Sequence, residues 1–94
     1  MRIAIRESAY ADVVRIHDWI AKDNPSNAGS VVERIGDAVE RIAFFPHMGR
    51  NGRVSGTREW VVRGLPYIIV YRVNEALDEL TVLAVFHGAQ NRLP

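Results

Sequence analysis

The sequence predicts an α+β domain in the order β-α-α-β-β-β, with a helical hairpin packed on a largely antiparallel four-stranded sheet. Three observations carry this expectation. A short alternating segment opens the chain, two stripes of helical period fill residues 9–45, and three strand-like runs joined by short turn signals occupy residues 58–86. Consecutive strands with short connections form an antiparallel meander, and the hairpin must bury its apolar stripe on one face of it.

In the first segment Ile3 and Ile5 alternate with Arg2, Ala4 and Arg6, the period of a strand with one buried face. Ser8 reads as an N-cap. Beyond it Tyr10, Val13, Val14, His17, Ile20 and Ala21 recur at helical spacing, with Asp12–Arg15 and Asp18–Lys22 spaced to pair on the outer side. The first helix ends near "KDNPSN", where Asn24 is a good N-cap and Pro25 suits the first helical position. A second helix therefore starts at once, carrying Ala28, Val31, Val32, Ile35, Ala38, Val39, Ile42 and Phe45 as its stripe, and Pro46 stops it. So short a connection folds the two helices into a hairpin.

Residues 46–56, "PHMGRNGRVSG", hold three glycines and a proline and read as a loop. "REWVV" (58–62) is the next strand, ended by the turn signal "RGLP". "YIIVYRV" (67–73) and "LTVLAVF" (80–86) are apolar on both faces, as central strands are, with the polar turn "NEALDE" between them.

At 94 residues there is room for one core, so the whole chain, 1–94, is expected to be one domain burying roughly two-thirds of its unfolded surface. A 48% hydrophobic, 24% charged composition is too apolar for disorder. Without cysteine there is neither a disulfide framework nor a thiolate metal site. The longest apolar run, residues 65–71, is far too short to span a bilayer, and "MRIAIRESAY" has no secretory h-region. A cytoplasmic location with no membrane partner is the expectation. The three histidines, His17, His47 and His87, are scattered without metal-ligand spacing, so neither metal nor cofactor is expected.

The net charge of +1 hides an uneven distribution. Arg50, Arg53, Arg58, Arg63 and Arg72 face a single acid, Glu59, between residues 46 and 73. Arginine's planar fork suits phosphate or carboxylate partners, while a coding bias toward arginine gives the same composition; both readings stand on composition alone.

One constellation on the sheet could do chemistry. In the meander His87 ends level with Arg63 and Tyr67, whereas Arg72 lies at the opposite end. Arg63, Tyr67 and His87, joined by Gln90 or Arg92 from the tail, could cleave RNA with a base on the 2′-hydroxyl, an acid on the leaving oxygen and arginine on the phosphate. The plainer alternative is that the arginines end strands and Tyr67 is core.

The segments "FPHMGR", "SGTREWVVRGLPYIIVYRV" and "VLAVFHGAQNRLP", in this element order, resemble the RelE/ParE superfamily of toxins from type II toxin–antitoxin modules. The resemblance implies either a ribosome-dependent mRNA endonuclease of the RelE branch or a ParE-like poison of DNA gyrase without a known catalytic set. The basic residues of the nuclease branch fall here on Glu59, Val61 and Ile68, and near Ala89. Phosphoryl transfer would lose most of its charge stabilisation without them, so the resemblance favours the ParE-like branch and no catalytic residues. It further implies a cognate antitoxin in a hetero-oligomer, and gyrase, or alternatively ribosome and mRNA, as target. Arg58, Arg63, His87, Gln90 and Arg92 are the expected target-binding residues. Ile16, Trp19, Val31 and Val32 are the expected antitoxin-binding ones, unless they pack within the hairpin. A toxin that has lost its target and binds only its antitoxin is the third reading.

Overall fold

Strands Tyr67–Asn74 and Glu79–His87 pair along their whole length and form the spine of a computed structural model that describes residues 1–89. In chain order the elements are β1 (Arg2–Ile5), α1 (Glu7–Ala21), α2 (Pro25–Phe44), β2 (Arg50–Asn51), β3 (Arg58–Val61), β4 (Tyr67–Asn74) and β5 (Glu79–His87). The strands make one sheet in the order β1-β5-β4-β3-β2, antiparallel except where β1 joins β5 in parallel.

The sheet thus has five strands among the described residues, one more than the sequence predicts. The extra one is the pair Arg50–Asn51, inside the stretch expected to be loop. Two residues carry no readable period. What makes them a strand is distant: they pair with Glu59 and Arg58, Arg50 bridges to the Glu59 carboxylate at 3.2 Å, and the Gly49 N–H donates to the Tyr71 hydroxyl at 3.0 Å. Arg58 adds a bond to the Gly49 carbonyl at 2.8 Å.

The helices cover one face only. Ala9, Val31, Ile35, Val39 and Ile42 pack with Tyr67, Ile69, Tyr71, Leu80, Val82 and Val85 into a single core. Tyr71, Ile42, Ile69 and Leu80 are fully buried, each worth about 1.5–3 kcal/mol of transfer free energy. Strand alternation sends Ile68 and Val70 to the other face, where Glu59 and Val61 oppose Val70 and Ile68 in the register.

Helix α2 starts as the sequence predicts: the Asn24 side chain accepts the Asn27 N–H at 3.1 Å, with Pro25 at the first position. Helix α1 does not. It begins at Glu7 with Arg6 at the cap position, and the Ser8 hydroxyl instead donates to the Leu83 carbonyl at 3.2 Å. Its buried residues are Ala9 and Asp12, while Tyr10 and Val14 of the expected stripe are exposed. The helix is rotated because β1 ends at Ile5, opposite Val82, so β5 has no strand beside it on that edge from Leu83 onward. Ser8 and Asp12 occupy that edge, and the Asp12 carboxylate takes the Val85 N–H at 3.0 Å. A bulge coincides with this point: the β4–β5 register jumps from Val70↔Ala84 to Tyr71↔Val82, leaving Leu83 unpaired.

Candidate functional site

His87 and Tyr67 oppose each other across β5 and β4, as the meander predicts, with ring centroids 5.5 Å apart and planes at 85°. Both line a hollow of about 720 Å³ between the sheet end and α1, whose other walls include Asp12, Arg15, Ile16 and Trp19. The Ala89 N–H donates to His87 Nδ1 at 2.9 Å. A ring nitrogen that accepts cannot carry the proton, so the neutral imidazole holds its hydrogen on Nε2. Turning Nε2 into a base, or charging the ring, would sacrifice the Ala89 bond. The geometry suits a hydrogen-bond donor better than a proton carrier.

Arg63 does not join them. It lines a separate hollow of about 470 Å³ between α2 and β3, beside Phe44 and Trp60, and its carbonyl accepts from the Arg34 guanidinium. The residues of the alternative nuclease site thus divide between two hollows. Arg58 belongs to a third, of about 720 Å³, together with His47 and Arg72. The expected target-binding residues are therefore dispersed, and Gln90 and Arg92 lie outside the described residues. Among the described residues no group of three His, Cys, Asp or Glu could hold a metal ion.

Of the expected antitoxin contacts, Val31 is 4% exposed and belongs to the core, so it offers nothing to a partner. It faces the sheet because the α2 stripe is wide and Val31 falls at its centre. Ile16 packs against the core at the rim of the His87 hollow. Trp19 stands 71% exposed, with Lys22 Nζ 5.2 Å above its ring. Val32 lines a fourth hollow that sequence reasoning missed, an apolar groove of about 330 Å³ between β1, α1 and α2. Ile3, Ile5, Tyr10, Val13 and Gly36 are among its walls, and Ile3, Ile5 and Tyr10 are exposed. A Cβ built on Gly36 would meet nothing within 4 Å, so the groove wall has room for a side chain there.

On the sheet face away from the helices, the β3–β4 pair carries one acid among apolar residues. Val61 and Ile68 oppose each other there, next to Glu59, which is 8% exposed and neutralised by Arg50. Glu59, Val61 and Ile68 thus form one strip that is acidic or apolar, and Ala89 lies apart from it, beyond the end of β5.

The ParE toxin family of type II toxin–antitoxin systems, parDE, matches residues 3–92 of this chain. The chain belongs to the ParE toxin family. The Sinorhizobium fredii protein named "Putative toxin Y4kP" is 48% identical over 65 residues, which cover 69% of this chain and 68% of that protein. The ParE fold is seen in the chromosomal ParDE system of P. aeruginosa, with a TM-score of 0.82 at 23% identity over 93% of this chain and 95% of that one. The toxin in the intact E. coli RelBE toxin–antitoxin complex has the same fold, with a TM-score of 0.68 at 15% identity, covering 96% of this chain and 98% of that one. This ParE-family chain is accordingly a type II toxin built on the ParE/RelE fold. No helix among its described residues is long and apolar enough to cross a membrane.

Proposed function

We propose that this toxin acts by binding and not by cleavage, as a ParE-like inhibitor of DNA gyrase, and that a cognate antitoxin neutralises it. The observation carrying the first half is the strip of Glu59, Val61 and Ile68. A phosphoryl-transfer site needs cations aimed at the developing charge, and removing one such donor typically costs on the order of 10²–10³ in rate. Here three of those positions are apolar or acidic together, and His87 Nδ1 is already committed to Ala89. Gyrase as the target rests on membership of the ParE family.

The apolar groove between β1, α1 and α2 supports the antitoxin half. An exposed strand edge beside Ile3, Ile5, Tyr10 and Val32 suits a segment that adds backbone bonds along β1 and anchors apolar side chains in the groove. Trp19 and Ile16 extend the apolar surface along α1 toward the His87 hollow.

The test is macromolecular labelling after induction, with supercoiling and cleavage assays on purified gyrase. The expected result is early arrest of replication with gyrase-stabilised breaks. Early arrest of protein synthesis with replication intact would sink the gyrase reading and favour a ribosome-dependent nuclease.

A further inference from the structure

We propose that the hollow bounded by the β2–β3 loop and the end of β4 binds the phosphodiester backbone of duplex DNA. Arg58 and Arg72 line it, with Asn51 and Ser55 supplying an amide and a hydroxyl group. Its volume of about 720 Å³ accommodates sugar-phosphate units. The Arg58 guanidinium is held in place by bonds to the carbonyls of His47 at 3.3 Å and Gly49 at 2.8 Å, so its position is set before any ligand arrives.

The charge balance points the same way. Arg2, Arg15 and Arg50 each have a carboxylate partner, in Glu79, Asp12 and Glu59. Arg58, Arg72 and Arg53, which lies in the loop beside the hollow, have no acidic partner among the described residues. Arg6, Arg34, Arg41 and Arg63 likewise have none, but Arg34, Arg41 and Arg63 share their hollow with two acids, Asp37 and Glu40, whereas one acid lines this one. The acid that lines the hollow, Glu75, is held by His47 Nε2 at 2.8 Å. Three guanidinium groups on three segments suit successive phosphates better than one isolated anion.

The walls also say which nucleic acid. Single strands are gripped by aromatic stacking as well as charge. No Phe, Tyr or Trp lines this hollow, and the His47 ring is engaged with Glu75. Contact is then with the backbone alone, which is sequence-independent and suits a duplex. The contact concerns the toxin and DNA only, so it stands whether or not gyrase is the target.

Fluorescence anisotropy of a short labelled duplex against the purified full-length toxin, without gyrase, tests it. Three phosphate contacts predict that affinity falls roughly 40-fold between about 50 and 200 mM salt. The double variant Arg53→Gln/Arg72→Gln is expected to bind at least about tenfold more weakly with a shallower salt slope, and Arg53→Lys/Arg72→Lys to keep the slope. The control Arg2→Gln/Arg6→Gln removes the same charge at the opposite sheet edge and should bind as wild type does. The proposal is overturned if the wild type gives no salt-sensitive anisotropy change, or if the control loses as much as the test variant. It is also overturned if polyglutamate of equal charge displaces the duplex as well as unlabelled DNA does, because an acidic protein surface is then the ligand.

Discussion

Asp12 of α1 accepts the backbone N–H of Val85 at 3.0 Å, across 73 residues of sequence. A helical carboxylate stands where a strand partner would otherwise be, because β1 stops at Ile5. Its other oxygen takes the Arg15 guanidinium, so this buried acid has partners on both oxygens. Satisfied in this way, a buried carboxylate stabilises the joint between hairpin and sheet.

Replacing it tests that role. Asp12→Ala leaves the Val85 N–H without an acceptor and is expected to cost about 2 kcal/mol in urea unfolding. Asp12→Asn keeps an oxygen for Val85 and should recover more than half of that loss. Equal stability of the alanine and wild-type proteins would show that the bond contributes nothing.

Tyr71 gives a pH dependence with a definite sign. Burial raises its phenol above the ordinary 10.0, an effect opposed by the Gly49 N–H and then by the nearby Arg58 charge. The folded chain therefore holds this proton more tightly than the unfolded chain. Its contribution is complete below about pH 10 and is lost as pH rises through the folded value, since only the unfolded form gains by ionising. Midpoints of urea unfolding should fall above pH 10 more steeply in wild type than in Tyr71→Phe. Near neutral pH that variant is expected to be less stable by about 1–2 kcal/mol, because the hydroxyl also donates to the Pro46 carbonyl at 2.8 Å. Parallel pH profiles for the two proteins would remove Tyr71 as the source.

Gly36 separates partner binding from folding. Gly36→Lys enters open space, replaces a poor helix former, and sets the new charge at helical spacing from Glu33 and Glu40. The toxin should be as stable as wild type or up to about 1 kcal/mol more so. Antitoxin binding should weaken by about tenfold or more, because a charge then lies in the apolar groove. Co-purification with the antitoxin, read beside a thermal melt, checks both. Undiminished binding would move the antitoxin off this groove.

Much of the fold was legible because its signals are local. Asn24 and Pro25 start α2 where the capping chemistry predicts, and the two-faced apolar runs at 67–73 and 80–86 lie inside β4 and β5. The pairing of Tyr67 with His87 followed from short connections and the alternation of strand ends in a meander. The site was less legible. Arg63 sits close to Tyr67 in the chain yet lines another hollow, because it follows the end of β3 on the α2 side. Val31 and Val32 are neighbours on one helix, but one is core and the other lines the groove.

The sequence by itself determined the helical hairpin, the strand meander and the resemblance that places the chain among ParE-type toxins. These rest on residue periods, caps and turns, whose interactions span a few positions. Tertiary structure alone decided that Arg50–Asn51 is a strand, that Asp12 is buried while Tyr10 is not, and that the arginines part into separate hollows. Each of those outcomes depends on a backbone group or carboxylate brought in from far along the chain, such as Val85 for Asp12 and Glu59 for Arg50. Such partners leave no mark on the local pattern, and only the closed fold shows which polar groups must be satisfied and by what.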